Sequence, residues 1–514
     1  MLNPIFSSPL LTETLIFPLL KFMTQPIDLK TLLKSTQVLK IKGPKRNPLI
    51  SNISLHSQNL QTHGLFLAIK GEHYNGMDFV EQAITAGAEV IVTETLLPHL
   101  PNIIQVQVKD IREAAAQIAH TFYQTPGRPL NLIGITGTSG KTTTSLLLQH
   151  IYQKALNKNC GLIGSLYYDL GNRILPASRT TPDVVSLNSY LHEMANAQKT
   201  EAIIEVSSHA IEQKRTYGLN FDTAVFTNLS LEHLDYHKTM EAYYQAKRQL
   251  FFQPHLKYAV INSDDVHGQR LMKELPMTVQ AITIGIENPA LLQAKDIKTN
   301  FEGTQFTLVC GEQHWQVKTK LLGLFNVYNC LAALGICYAH GYDLNKIIPI
   351  IGKFTTVPGR LEKVPNKLGL NVFVDYAHKP EALKNVLQTL RPLTKKRLNV
   401  VFGCGGDRDR SKRPVMTHIA ETYADHAWAT SDNPRTESQQ QIFEDMRAGL
   451  QDKSKIDFIT DRSEAIAEAL KSCCAGDCLI IAGKGHEQYQ EINQHFYPFD
   501  DRKIVEDYCR KALL

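Results

Sequence analysis

The stretch Gly134-Ile-Thr-Gly-Thr-Ser-Gly-Lys-Thr-Thr-Thr144 decides how the rest of this 514-residue chain is read. An apolar run, Leu130 to Ile135, leads into it, and a helix-compatible run, Ser145 to Ala155, leads out. Strand, glycine-rich loop, helix is the context a phosphate-binding loop requires. The glycines let backbone N–H groups turn inward around a polyphosphate, and the helix N-terminus adds the positive end of its dipole. In this reading Gly137, Thr138, Ser139, Gly140, Lys141, Thr142 and Thr143 cradle the phosphates of a nucleoside triphosphate. Lys141 reaches the terminal phosphates and the Thr142 hydroxyl faces Mg²⁺. The spacing departs from the usual loop: Gly134 stands one residue too far from Gly140-Lys141, and Gly137 too near.

Alternating strands and helices continue on both sides. Apolar runs at Ala202 to Val206, Thr223 to Thr227 and Ala259 to Asn262 predict strands of a mostly parallel sheet covered on both faces, with a helix over Val327 to Ala339. Thr355-Thr-Val-Pro-Gly-Arg360 marks a boundary. Beyond it, strands at Asn371 to Val374, Leu398 to Phe402, His426 to Ala429, Asp457 to Ile459 and Cys478 to Ile481 predict a second, Rossmann-like doubly wound sheet. Before the loop, Gly64 to Ile69 and Val90 to Val92 read as strands of a small α/β domain, joined on by the linker Thr125-Pro-Gly-Arg-Pro129. The α/β chain therefore divides into an N-terminal extension (1–24), a small domain (25–125), a phosphate-loop domain (126–355) and a C-terminal domain (356–514).

Composition limits the alternatives. Hydrophobic residues at 43% and charged residues at 20% suit soluble globular domains. A net charge of +5 over this length, with no concentrated basic run, gives no argument for nucleic acid, and Lys395-Lys396-Arg397 reads as a solvated helix end. The nine cysteines lack metal-ligand spacing and read as free thiols of a reducing compartment, Cys473, Cys474 and Cys478 included. Residues 1–23 are apolar and Pro-broken. They lack the early charge and small-residue cleavage site of a signal peptide and are too short to span a bilayer, so they read as a non-catalytic extension, with Met23 as a candidate start.

Chemistry concentrates where strands end. Glu205, closing a buried-type strand beside the phosphate loop, is a natural ligand for Mg²⁺, which wants hard oxygens. Thr227-Asn-Leu-Ser-Leu-Glu-His-Leu-Asp-Tyr-His237 carries His233 and Asp235 just after another strand, and Lys247 on its own reads as a surface helix lysine.

These residues resemble the Mur ligase family, whose loop Gly-Thr-x-Gly-Lys-Thr matches residues 137–142 and removes the spacing anomaly. The likeness covers nearly the whole chain after about residue 27. It implies a cytoplasmic, ATP-dependent, ADP-forming amide ligase of peptidoglycan precursor synthesis, acting as a monomer without nucleic acid or membrane insertion. It implies Glu205 and His233 as ligands of two Mg²⁺ ions, and Lys247 as a carbamylated lysine whose carboxylate faces metal. Asn329 of Gly323-Leu-Phe-Asn-Val-Tyr-Asn329 would contact the nucleotide base, and Arg360 and Asp375 would close over ATP. Leu55, Ser57, Glu72, His73 and Tyr74 fall where the family holds the UDP part of its substrate, although His56-Ser57-Gln58 departs from the family's Asp-Ser-Arg. Thr180, Thr181, Ser207, Gln213 and Arg215 fall where it holds the muramoyl dipeptide.

Three C-terminal strand-end loops remain: Gly405-Gly-Asp-Arg-Asp409, Asp432-Asn-Pro-Arg435 and Gly483-Lys-Gly-His-Glu487. Arg408 and Arg435 supply rigid forks for carboxylates, Asp432 and Glu487 can hold an ammonium, and Asn433, Pro434 and Gly483 shape the turns. A diamino dicarboxylic acid has two amino-acid ends, and one must be held while the other amine reacts. The resemblance thus points to addition of meso-2,6-diaminopimelate to the D-glutamate of UDP-N-acetylmuramoyl-L-alanyl-D-glutamate. Three alternatives stay open: the same reaction with L-lysine, a folylpolyglutamate synthetase-like ligase, and a nucleotide-switch or transport module without ligase chemistry.

Overall fold

The computed structural model describes residues 25–512 except 72, 73, 99, 101 and 128. The extension 1–24 and the contact residues Glu72 and His73 lie outside the described residues. The chain divides between Gln124 and Thr125 into two compact units.

The first unit carries a five-stranded sheet in the order Val38–Lys42, Ile104–Val108, Ala88–Thr93, Gly64–Leu67, Asn52–Ser54. Only the first pair is antiparallel. The helix Ile111–Tyr123 turns Ile111, Ala115, Ile118, Ala119 and Phe122 inward, an i, i+3, i+4 stripe that buries one face. Asp110 caps it, its carboxylate accepting from the backbone N–H groups of Arg112 and Glu113. The strand expected to reach Ile69 stops at Leu67, where the Ile69 N–H turns back onto the Leu67 carbonyl.

The second unit holds two sheets. The larger has eleven strands, and its parallel part runs Cys160–Ile163, Glu201–Glu205, Asn131–Thr136, Phe221–Phe226, Tyr258–Asn262, Gln280–Gly285, Leu292–Asn300. Antiparallel strands extend both edges, Tyr167–Asp169 with Ile174–Pro176 on one side and Gly303–Cys310 with Gln313–Thr319 on the other. The smaller sheet orders Glu362–Val364, Asn371–Asp375, Cys478–Ala482, Leu398–Cys404, His426–Ser431 and Ile456–Phe458, with only its first pair antiparallel. Its four inner strands are almost wholly buried and largely apolar because helices cover both faces. A separate hairpin, Tyr489–Ile492 with His495–Pro498, follows the last long strand.

Strand order sets the site. Asn131–Thr136 lies between Glu201–Glu205 and Phe221–Phe226, so residues 136–142, 205–207 and 227–233 meet at one carboxyl edge, where open α/β sheets collect ligands. Lys395-Lys396-Arg397 does not end a helix. It lies in the loop entering Leu398–Cys404, where Lys396 Nζ donates to the Ala475 carbonyl and Arg397 pairs with Asp477. All nine cysteines are free thiols.

Candidate active site

The phosphate loop is shaped by two glycines in the left-handed half of backbone space, Gly137 at φ 148° and Gly140 at φ 89°. A Cβ at Gly137 would sit 1.9 Å from Thr227 Oγ1, and one at Gly140 would sit 2.4 Å from Asn329 Oδ1. Both positions therefore exclude any side chain, which accounts for the glycine spacing. Neighbouring strand ends brace the loop. Ser139 N donates to Asn228 Oδ1 at 2.9 Å, Thr227 Oγ1 donates to the Ser139 carbonyl at 2.7 Å, and Thr138 Oγ1 meets the Tyr243 hydroxyl at 3.1 Å. Helix Lys141–Lys154 begins directly at the loop, with Thr142 and Thr143 buried in its first turn.

Two lysines converge on one carbonyl. Lys141 Nζ donates to Gly137 O at 2.8 Å and Thr138 O at 2.9 Å, and Lys247 Nζ donates to Gly137 O at 2.9 Å. Lys247 is 1% exposed, so it is no surface lysine. Burial lowers the Lys141 ammonium to about 8, with Glu205 opposing the shift and Arg360 adding to it. Burial and then the charge of Lys141 hold Lys247 well below the usual lysine range. His233, with its backbone at φ 58°, is held near 4 by burial and by the charges of Lys247 and Lys141, so its ring is neutral at pH 7. Its Nε2 lies 3.3 Å from Glu232 Oε1.

Glu205 is buried and ringed by neutral donors. Thr142 Oγ1 and Ser165 Oγ donate to Oε2 at 2.9 Å each, Ser165 N donates to Oε1 at 3.1 Å, and Ser145 Oγ lies 3.2 Å from Oε1. This is a hard-oxygen set suited to Mg²⁺. Among the described residues no group of three or more His, Cys, Asp or Glu side chains could hold a metal. Thr142 and Glu205 are the side chains at this strand end that could hold a hard cation.

Asn329 is buried against the loop: its Oδ1 accepts from Thr144 Oγ1 at 3.3 Å, and its Nδ2 donates to Asn326 Oδ1 at 2.9 Å. From the smaller sheet, the Arg360 guanidinium lies 5.0 Å from the Tyr376 ring centre and acts electrostatically on Lys141. Asp375 accepts from the backbone of Leu361 and Ala377. Burial raises its pKa, and the charge of Arg360 opposes the rise.

Along the same edge, Thr180 Oγ1 meets Ser165 Oγ at 3.1 Å, and Thr181 Oγ1 accepts from Ser207 N at 3.1 Å. Arg215 donates to the Thr181 carbonyl at 2.7 Å and to Gln213 Oε1 at 2.7 Å. The five expected dipeptide contacts therefore form one group, its arginine held by protein oxygens. In the first unit, Ser57 Oγ donates to Gln82 Oε1 at 2.7 Å, Leu55 is half-buried, and Tyr74 is 74% exposed, edge-on to Phe79.

The three C-terminal loops meet. Asn433 Nδ2 donates to Glu487 Oε2 at 2.9 Å, the buried Lys484 ammonium donates to Asn433 Oδ1 at 2.9 Å, and Arg435 Nη1 donates to the Gly406 carbonyl at 2.8 Å. Burial opposes ionisation of Asp432, but the charges of Lys484 and Arg462 outweigh it and keep the carboxyl below its usual range. Asp432 Oδ2 is buried with no hydrogen-bond partner and lies 2.4 Å from where a Gly483 Cβ would be. An ionised, unpartnered oxygen at a strand end can receive an ammonium. Pro434 O accepts from Glu437 N, which closes the turn. Arg408 stays exposed, its Nη1 donating to the Asp407 carbonyl.

Known proteins share this sequence and fold. The pattern described as "Mur ligase middle domain" matches residues 135–337, "Mur ligase, glutamate ligase domain" matches 359–485, and "Mur ligase family, catalytic domain" matches 49–123. A Bacillus cereus protein named UDP-N-acetylmuramoyl-L-alanyl-D-glutamate–2,6-diaminopimelate ligase is 42% identical over 471 residues, 90% of this chain and 95% of that protein. This chain belongs to the Mur ligase family. A solved structure of a ligase of that same name aligns with a TM-score of 0.69 at 35% identity, covering 95% of this chain and all of that one. A Mycobacterium tuberculosis folylpolyglutamate synthase complexed with ADP shares the fold at 19% identity and a TM-score of 0.57, but covers only 72% of this chain.

In this Mur ligase several neighbours of the site were not singled out from sequence. Ser145 could have been, since it stands three residues after Thr142 on one helix face. Ser165 comes from a strand end that only the strand order brings near, whereas Lys484 lies in the quoted loop Gly483 to Glu487 and was given no role of its own. Lys379 Nζ donates to Glu232 Oε1, joining the start of helix Pro380–Leu390 to the loop that carries His233. Lys412 Nζ donates to the His378 carbonyl at 2.9 Å beside it.

Proposed function

We propose that this Mur ligase joins meso-2,6-diaminopimelate to the D-glutamate carboxylate of UDP-N-acetylmuramoyl-L-alanyl-D-glutamate, converting ATP to ADP and phosphate. The observation that carries the reading is the pairing, within one compact unit, of a braced phosphate loop with a separate polar cluster of Asp432, Asn433, Arg435, Lys484 and Glu487 at strand ends. The 42% identity to a relative so named, over nearly its whole length, supports the same substrates.

A carboxylate is a poor acyl donor because its leaving group would be oxide. Its oxygen attacks the γ-phosphorus of ATP, the bond to the β-phosphate oxygen breaks, and an acyl phosphate and ADP form. The amine of diaminopimelate then attacks the acyl carbon, a tetrahedral intermediate forms, phosphate leaves, and the nitrogen loses a proton. In this reading the loop N–H groups and Lys141 hold the phosphates, and Asn329, Arg360 and Asp375 belong to the ATP site. Thr181, Ser207, Gln213 and Arg215 belong to the dipeptide site, and Leu55, Ser57, Glu72, His73 and Tyr74 to the uridine nucleotide site. Asp432 and Glu487 receive the diaminopimelate ammonium and Arg435 its distal carboxylate, with Arg408 at the rim. Thr142, Glu205, His233 and Lys247 as its carbamate would hold two Mg²⁺, which would supply charge neutralisation. Only a free amine adds CO₂, with loss of a proton, so the lowered Lys247 fits a carbamate-forming lysine. Among the described residues no helix is long and apolar enough to cross a membrane. We place the reaction in the cytoplasm, as the family resemblance implies. We read the working form as a monomer.

The test is phosphate release by the full chain with UDP-linked dipeptide, ATP, Mg²⁺ and a panel of meso-diaminopimelate, its stereoisomers and L-lysine. The reading requires release that depends on both the dipeptide and meso-diaminopimelate. Equal or faster turnover with L-lysine moves the assignment to the lysine-adding reaction, and release without either substrate rejects ligase chemistry.

A further inference from the structure

Arg435 is held in an unusual way, and the group that holds it lies far along the chain. Its backbone sits at φ 53°, left-handed space that a residue with a Cβ seldom adopts unless neighbours hold it there. The enforcing element is the hairpin Tyr489–Ile492 with His495–Pro498, whose first strand forms a parallel bridge to Arg435 through Ile492. Arg435 N donates to the Glu491 carbonyl at 3.1 Å, and Asn493 N donates to the Arg435 carbonyl at 2.8 Å. Gln490 Nε2 donates to Ser431 Oγ at 3.0 Å and to the Asp432 carbonyl at 2.8 Å, and Glu491 N donates to Asn433 Oδ1 at 2.9 Å. The hairpin thus lies along the whole Asp432-Asn-Pro-Arg435 loop.

One side-chain contact does more than brace backbone. Glu491 Oε2 lies 2.8 Å from Arg435 Nε, and both side chains are about one-fifth exposed. Arg435 Nη1 meanwhile donates to the Gly406 carbonyl. With the covalent attachment at Cδ, anchoring Nε and Nη1 fixes the plane of the guanidinium. Of the two anchors, only Glu491 is a side chain that can be changed without rebuilding the loop.

Resting on the reading that Arg435 grips the distal carboxylate of the amino-acid substrate, we propose that Glu491 is a positioning residue. It fixes the plane of the Arg435 guanidinium and so sets the preference for an amine that carries a second carboxylate over one that lacks it. Glu491 itself touches no substrate. Orientation outweighs charge in this account. Removing the carboxylate leaves Arg435 more cationic overall, but a long side chain free to rotate loses more in recognising a carboxylate at fixed geometry than it gains from a screened charge. The sign of the effect therefore decides the matter.

The experiment uses the full chain with Glu491→Ala, Glu491→Gln, Arg435→Ala and the Glu491→Ala/Arg435→Ala double variant. For each, KM and kcat are measured for meso-diaminopimelate, kcat/KM for L-lysine, and KM for ATP. Glu491→Ala is expected to raise KM for diaminopimelate about tenfold, in the range of coupled contacts. Its kcat, its KM for ATP and its kcat/KM for L-lysine should stay within about twofold of wild type, the margin expected where a contact is not involved. Glu491→Gln keeps an oxygen that accepts from Nε and should recover most of the affinity. The double variant should be no worse than Arg435→Ala alone. An unchanged or lowered KM for diaminopimelate in Glu491→Ala overturns the proposal, as does a parallel loss for every substrate including ATP, the mark of a merely structural role. If Arg435→Ala itself leaves KM unchanged, the reading of Arg435 fails and this proposal with it. If Arg435→Ala raises KM while Glu491→Ala does not, only the role of Glu491 is refuted.

Discussion

Glu205→Gln separates the cation-binding role proposed for this carboxylate from its packing role, because the environment tolerates an amide. The Gln Oε1 can replace the oxygen that accepts from Ser165 N at 3.1 Å, and its amide nitrogen then faces Thr142 Oγ1 and Ser165 Oγ, each 2.9 Å from the present Oε2. Both are hydroxyls, which rotate to accept as readily as to donate. The fourth neighbour, Ser145 Oγ, has the Thr142 carbonyl 3.0 Å away as an alternative acceptor. No buried donor is orphaned, and three charge-assisted bonds become neutral ones while a buried charge disappears. The net cost is about 1–2 kcal/mol, a fall in Tm of a few degrees. Function should respond far more, since the substitution removes the formal charge beside Thr142 and the carboxylate that opposes the lowering of Lys141. A loss of about 3–4 kcal/mol in the transition state lowers kcat about 100- to 1000-fold. The assay is phosphate release at saturating substrates across a Mg²⁺ titration, alongside a melting curve. Wild-type turnover at an unchanged half-saturating Mg²⁺ would refute the placement of the cation at Glu205. A melting-point collapse matching the loss of activity would refute the separation of the two roles.

Three further outcomes are expected. Lys247→Ala should cripple turnover, and added formate or acetate should restore part of it, because a small carboxylate can enter the space the carbamate would fill; full activity in the variant removes Lys247 from the site. Lys379→Met should raise KM for ATP a few-fold and increase amide exchange over residues 228–239. Its melting point should barely move, since a pair whose lysine is 40% exposed contributes about 1 kcal/mol or less. Burial holds His120, His378 and His486 near 4, below the usual histidine value of about 6.5. The unfolded chain therefore binds more protons between about pH 4 and 6.5. Stability should be fully present above that window and fall as pH drops through it, by at most about 3 kcal/mol per ring. Urea midpoints at pH 7.5, 6, 5 and 4.5 check this, and His378→Gln should flatten the slope.

What the sequence made legible is what adjacent residues determine. Gly137 to Thr142, Asp432 to Arg435 and Gly483 to Glu487 each sit in a single turn at a strand end, and strand ends could be located from apolar runs. What it hid depends on strand order. Ser165 reaches Glu205 because Cys160–Ile163 lies beside Glu201–Glu205, although the two residues are forty positions apart. Glu491 reaches Arg435 only through a hairpin that no apolar run announces, its second strand being exposed throughout. The antiparallel wing at Gly303–Cys310 and Gln313–Thr319 is a different case. Its positions alternate between buried and open along Thr304-Gln-Phe-Thr-Leu-Val-Cys310, the pattern of a half-exposed antiparallel strand, which continuous apolar runs do not reveal.

Lys247 is the sharpest instance, because the signal was present and outweighed. On the helix Met240–Arg248 it stands four residues after Tyr243 and three after Tyr244, the spacing that puts side chains on one face. Two aromatics mark that face as the inner one, and both tyrosines are buried. A lysine on the inward stripe of a short amphipathic helix must either carry its charge out to solvent or meet a partner inside. Lys247 has no route out, and its Nζ ends on the carbonyl of Gly137 beside the Lys141 ammonium. Burial and the charge of Lys141 therefore hold its pKa well below the usual lysine range and favour the free amine. In the proposed reading a carbamate made from that amine, and a triphosphate on Lys141, would bring the negative charge that offsets Lys141.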